Sequence, residues 1–226
     1  MAPYAFAVYR GDVPPWLPYI SDAGGDPPQS AVFSMGMALI GLMFVMGIYL
    51  CYLILETQNI NDCKLITWLG KLLILAGFFM CIGLFGIATN PTGHLRRDGS
   101  WTWVVLVPHL LGAATFFSSS IGMMALLTFT TFLLERPNWL NRLFVSRATI
   151  LMGSLLGGLL VLVGLPALSE VEGLKPSPDH GRVYPPGTTW SAFGEWLIVL
   201  TFMLFVATFI PMFRRTKITL VVDYKK

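Results

Sequence analysis

Two ionisable residues lie inside long apolar stretches of this 226-residue chain, and they are where chemistry would be sought first. His109 stands about two turns into one stretch and Glu195 about one turn into another, counting 3.6 residues per turn. An ionisable group at such depth is costly unless it is paired or wet, so it marks a site by default. His109 shares a helical face with Gly112, Ala113, Phe116 and Ser120 through the three-and-four spacing. That face is small and partly polar, which suits helix packing better than lipid. Both residues enter from the same end of their spans, so an imidazole and a carboxylate at similar depth are expected to meet. A mutual hydrogen bond, direct or through one water, lowers the cost of burying each. Such a bond would fix helix register. Its chemical readings are contact with a lipid headgroup or small ligand, or a proton-coupled role, since histidine titrates in the range of acidic organelles.

Other polar residues offer less. Lys71 lies near the end of its stretch and can snorkel to the interface. A turn-rich loop carries Tyr19, Ser21, Asp22 and Asp26 before the first clear stretch. Its two carboxylates could bind a cation, but they do not match a calcium-loop spacing. No metal cluster, catalytic triad, Walker loop or dinucleotide fingerprint is present, so neither a catalytic residue nor a cofactor is expected. An enzyme built on His109 and Glu195 would need a nucleophile nearby, and Ser191 and Thr188 are the hydroxyls in phase. A channel would need a polar file along several spans, and Ser118-Ser119-Ser120 is the one hint of it.

These residues must be positioned by membrane-spanning helices. Hydrophobic residues make up 55% of the chain and charged ones 12%, and mean hydropathy is +0.68. A span needs roughly 20 mainly apolar residues. Five stretches meet that need, at about 31–55, 65–88, 103–134, 148–168 and 190–213. The fold class is therefore all-α, a polytopic transmembrane helical bundle forming a single domain over residues 1–226, with a tail at 214–226. A barrel would show shorter segments of alternating polarity. The third stretch exceeds one crossing and should tilt or project. In the fourth, Gly153 lies over Gly157 and Ser154 over Gly158, a pattern that lets backbones approach closely. Packing against another span of the same chain is the expected use, ahead of homodimerisation.

Lys and Arg concentrate on the cytosolic side of membrane proteins. Along the chain, one side collects Lys64, Arg136, Arg142, Arg147, Arg214, Arg215, Lys217, Lys225 and Lys226, against Arg10, Arg96, Arg97, Lys175 and Arg182 on the other. The carboxyl-terminal tail is thus expected in the cytosol, and the amino-terminal segment and the loops at 90–100 and 169–189 on the far side. Cys51, Cys63 and Cys81 lie outside those far-side segments, so no structural disulfide is expected. Cys63, beside a span at the cytosolic face, reads as a reduced thiol, with palmitoylation the alternative. The basic residues sit at helix ends and form no patch interleaved with aromatics, so no nucleic-acid partner is expected. Membrane lipids, and proteins within the membrane, are the expected partners. Residues 217–222 alternate weakly and could be extended.

Three motifs resemble one family. Pro18-Tyr19-Ile20-Ser21-Asp22, followed by glycines, Pro27-Pro28 and a span, is similar to a stretch of the damage-regulated autophagy modulators, the DRAM family within the wider FRAG/DRAM/Sfk group. Pro108-His109-Leu110-Leu111-Gly112-Ala113 looks like that family's His-x-x-Gly-Ala. Gly194-Glu195-Trp196 and the Phe-rich run ending in Arg214-Arg215-Thr216-Lys217-Ile218-Thr219-Leu220 look like its Glu-Trp span and basic exit. The resemblance implies six spans with both termini cytosolic. Ala5-Phe6-Ala7-Val8-Tyr9 then looks like the last turn of a first helix, and an apolar segment upstream of Met1 is expected, the alternative being a member that has lost that helix. It also implies residence in lysosomal or endosomal membranes, with the plasma membrane as the other destination, and an influence on autophagy. Relatives in the wider group act in lipid remodelling of GPI anchors or in phosphoinositide and sterol organisation. The resemblance supplies no catalytic mechanism.

The sequence thus reads as a non-enzymatic membrane modulator of autophagy and lysosome function. The rivals are a lipid-modifying enzyme or lipid transporter acting on headgroups near His109 and Glu195, and a channel or channel accessory subunit. The charge asymmetry predicts that an impermeant thiol reagent reaches Cys63 from the cytosol. A cysteine replacing Ser177 should be reached from the opposite side only; labelling of both from one side would refute the orientation.

Overall fold

The long apolar stretches become long helices because a backbone in lipid must satisfy its own hydrogen bonds. A computed structural model describes residues 2–91, 103–134, 141–164, 188–217 and 219. In chain order the elements are α1 (Ala2–Tyr9), α2 (Ile20–Ala23), α3 (Gln29–Gln58), α4 (Lys64–Thr89), α5 (Trp103–Leu134), α6 (Arg142–Gly164), α7 (Thr188–Ala207) and α8 (Ile210–Arg215). Five helices are long and apolar enough to cross a membrane. No strand occurs among the described residues.

The bundle has two parts. α4 lies between α3 and α5, while α6 and α7 form a tight pair, and α5 joins the two groups. Glycine sets the distance within both parts. A Cβ on Gly83 would stand 2.6 Å from the Phe116 nitrogen and 2.7 Å from the Gly112 carbonyl oxygen, so α4 and α5 touch backbone to backbone. A Cβ on Gly157 would stand 2.9 Å from the Gly194 carbonyl oxygen, and one on Gly194 2.5 Å from that of Gly157. Lipid tails are as apolar as leucine, so close van der Waals packing replaces the hydrophobic effect between spans.

Aromatic rings fill the junction of the two parts. Phe202 of α7 meets Phe44 of α3 edge-on at 5.0 Å and Phe116 of α5 at 5.9 Å between centroids. Met80, Leu84, Met123, Met124 and Phe205 complete this core. Leu39, Met43, Phe78, Leu159 and Met203 face outward instead, as expected of surfaces turned to lipid.

Helix ends depart from the apolar stretches in instructive ways. α3 extends the stretch at 31–55 by two residues at its start and three at its end, and α4 extends that at 65–88 by one residue at each end. They join through a turn in which Asn59 Oδ1 accepts from Cys63 N–H at 2.9 Å, and its amide nitrogen donates to the Cys63 carbonyl at 3.2 Å. α6 starts at Arg142, six residues before the apolar stretch, and so carries Arg147 inside the helix. Residues 165–168 of that stretch lie outside the described region, as do the loops around Arg96, Arg97, Lys175 and Arg182 and most of the alternating tail. The stretch at 190–213 is not one helix. It breaks at Thr208 and Phe209 because Pro211 has no N–H to offer the Ala207 carbonyl.

The seams predict an asymmetry among glycines. Gly83→Leu should cost about 3 kcal/mol, since overpacking would force two backbones apart. Gly47→Leu, where no neighbour lies within 4 Å, should leave stability unchanged. Thermal unfolding of both variants in detergent measures the difference, and equal midpoints would refute the close seam.

Candidate functional site

The residues before α3 fold against one end of the bundle. Tyr4 on α1 donates to the Pro15 carbonyl at 2.8 Å, and its ring meets that of Trp196 at 5.9 Å and 75°. Ala7, Val13 and Ala23 form a small apolar cluster. Gln29, at the start of α3, donates to Asp12 Oδ2 at 2.7 Å, and Arg10 reaches the Pro27 carbonyl at 2.6 Å. The chain between Tyr9 and α3 is thereby sewn into a cap.

Two adjacent residues of α7 hold that cap. Glu195 Oε2 accepts from the Ile20 N–H at 3.0 Å, and Trp196 Nε1–H donates to the Pro18 carbonyl at 2.9 Å. Ile20 is the first residue of α2, where an amide has no intrahelical acceptor. A carboxylate there completes the helix end, and its charge suits the helix start. Leu17, just ahead, has φ +44°, a left-handed conformation that a leucine rarely adopts. The tethers at Pro18 and Ile20 hold the chain in that turn.

His109 does the mirror-image job. Its Nδ1 lies 2.8 Å from the Asn90 carbonyl oxygen at the carboxyl-terminal cap of α4. A carbonyl only accepts, so Nδ1 carries the proton and donates. The imidazole is brought to that carbonyl by the glycine seam, since Gly112 and Phe116 on the same face of α5 lie against Gly83 and Gly86 of α4. Pro108 precedes His109 inside α5. His109 is 5% exposed, while Glu195 is half-buried. The hydrogen bonds described for these two side chains run to separate backbone groups, each at a helix terminus.

The remaining candidates are placed as follows. Asp22 and Asp26 are buried within the cap, with Tyr19 and Ser21 half-buried beside them. Among the described residues no three His, Cys, Asp or Glu side chains are placed to hold a metal ion. Gly157 lies in the α6–α7 seam, Gly153 meets the Thr201 methyl at 3.0 Å from its Cβ position, and Gly158 faces Ile121. Ser154 is fully buried. Ser191 sits against Gly164 at the end of that seam, in a packing position. Lys71 is exposed and stands 5.4 Å over the Trp68 ring. Cys63 is exposed, Cys81 half-buried and Cys51 buried.

Sequence reasoning missed Arg147. Counted only as a basic residue outside a span, it is in fact 4% exposed among α5, α6 and α7. It also missed Asn90 as the acceptor for His109. The signal was present, because a residue before proline commonly ends a helix.

A family model described as the Frag1/DRAM/Sfk1/Cwh43P N-terminal domain matches residues 1–216. This chain belongs to the Frag1/DRAM/Sfk1/Cwh43P family. It is similar to DNA damage-regulated autophagy modulator protein 1 of Xenopus laevis, 30% identical over 220 residues that cover 95% of this chain and 84% of the relative. The protein of the same name from Homo sapiens is 27% identical over 214 residues, covering 93% and 83%. DNA damage-regulated autophagy modulator protein 2 of Rattus norvegicus is 26% identical over 228 residues, covering 97% and 79%. No solved structure matches. Of the stretches that carry the DRAM resemblance, the first and third meet here, through Pro18, Ile20, Glu195 and Trp196.

A double-mutant cycle tests the tether. Ile20→Pro removes the donor, and proline is well suited to a first helical position. Tyr19, at φ −58° and ψ 140°, already has the extended form favoured before proline. Combined with Glu195→Met, the coupling in unfolding free energy should be about 1.5 kcal/mol, typical of a hydrogen bond to a charged group. Strict additivity would remove the tether.

Proposed function

We propose that this chain is a non-enzymatic, multi-pass membrane modulator of autophagy, resident in lysosomal or endosomal membranes with its carboxyl terminus in the cytosol. The relatives named as autophagy modulators support the cellular role. The observation that carries the non-enzymatic reading is the use to which three polar side chains of the spans are put. His109 closes a helix-end carbonyl, Glu195 a helix-start amide and Trp196 a turn carbonyl. In a lipid-facing fold such groups must be satisfied, and side chains engaged in this way act as architecture. The charge asymmetry at the end bearing Lys64, Arg142, Arg214 and Arg215 supports a cytosolic tail. The outward apolar faces of α3, α4 and α6 suit contact with lipid and with other membrane proteins.

The reading is tested in cells lacking the gene, by measuring autophagic flux with and without block of lysosomal degradation. Wild-type chain should restore flux. His109→Asn keeps an N–H at the Nδ1 position for the Asn90 carbonyl but abolishes imidazole acid–base chemistry. It should restore flux as well as wild type. Normal abundance and delivery of His109→Asn with no restored flux would instead indicate chemistry at the imidazole, and unaltered flux on gene loss would end the autophagy reading.

A further inference from the structure

Arg147 is a buried cation on the second turn of α6. Its Nε–H donates to Thr208 Oγ1 at 3.0 Å, and its Nη1 donates to Thr131 Oγ1 at 2.6 Å. The guanidinium carbon lies 5.5 Å from the centroid of Phe205 and 4.9 Å from that of Phe209. Phe205 lies in the last turn of α7, Thr208 in the break and Phe209 at the N-cap of α8, so one side chain grips the end of α7 and the start of α8.

That break has the construction of a hinge. Thr208 N–H bonds the carbonyl of Phe205 at 2.9 Å and Phe209 N–H that of Val206 at 3.0 Å, each three residues back instead of four. Two residues on, Pro211 cannot donate to the Ala207 carbonyl. Tight three-residue bonding inside a helical run, next to a proline, is where helices bend. Beyond it, α8 turns Met212 and Phe213 toward the core and leaves Arg214 and Arg215 exposed.

We propose that Arg147 is the latch of this hinge, holding α8 and its basic side chains at one angle to the bundle. The planar fork engages hydroxyls on α5 and at the hinge together, while its faces meet the two rings. Arginine keeps its charge at every physiological pH, so the latch works through geometry and not through titration. A lysine would supply the charge without the fork. This inference goes beyond the proposed cellular role and does not depend on it.

The test uses the full chain in lipid nanodiscs, with the native cysteines replaced and spin labels at positions 71 and 215. A second pair at positions 71 and 142 reports on the bundle body. Pulsed dipolar measurements should give one narrow distance distribution for the 71–215 pair. Arg147→Met should raise a second 71–215 population by about tenfold, the effect of losing a hydrogen bond to a charged group, and leave the 71–142 pair unchanged. Thr208→Val should act in the same direction. Adding Pro211→Ala to Arg147→Met restores an N–H for the Ala207 carbonyl and should return the single narrow distribution. A purely structural arginine would not be rescued in this way. An unchanged 71–215 distribution in Arg147→Met, or no narrowing on adding Pro211→Ala, overturns the proposal. If Arg147→Met broadens both pairs, Thr208→Val decides alone, and an unchanged 71–215 distribution in that variant overturns it.

Discussion

The contact of backbone on backbone at two glycine seams is the constraint on which the remaining structure depends. Where Gly83 meets Gly112, α4 and α5 approach so closely that a Cβ would strike the opposite backbone, and Gly157 and Gly194 do the same for α6 and α7. Lipid supplies no hydrophobic drive between spans, so dispersion at such short range is what holds the pairs. The α4–α5 seam also brings the imidazole of His109 to the Asn90 carbonyl, because Gly112 lies one turn beyond His109 on the same face.

The two ends of the bundle meet the same requirement by different means. At one, side chains of α5 and α7 close orphan backbone groups at helix termini and in the cap. At the other, Asn59 closes the turn into α4, and Arg147 gathers hydroxyls and rings around the break after α7. In both, a polar side chain of one helix is engaged by a group from another element. Such contacts lock the relative position of elements distant in sequence, as Glu195 does with Ile20.

This arrangement gives a physical account of two stretches that carry the family resemblance. Pro18 to Asp22 and Glu195-Trp196 are the two sides of one junction. Pro18 and Ile20 contribute backbone groups to it, so their side chains alone do not announce the contact. What the sequence must preserve is the turn that presents the Pro18 carbonyl and the Ile20 amide, and that turn places Leu17 at φ +44°.

The helical class, the five spans and the buried polar candidates were legible in the amino-acid sequence, because length and apolarity in lipid leave few choices. The backbone partners of these side chains were not legible. A span pattern says that His109 and Glu195 are costly to bury, yet it cannot say which backbone group satisfies them, since Asn90 and Ile20 offer the same carbonyl and amide as any other residue. The glycines of α6 stood out as closely spaced small residues, whereas the α4–α5 seam combines Gly83 and Gly86 with a single Gly112 on the partner helix. Arg147 was misjudged because an arginine at the edge of an apolar stretch normally reaches water. Only the tertiary structure shows that α6 begins six residues earlier and that Thr131 and Thr208 stand ready to accept its hydrogen bonds. Local apolarity decides what enters the membrane, and the partner of each buried polar group is decided by which helices lie side by side.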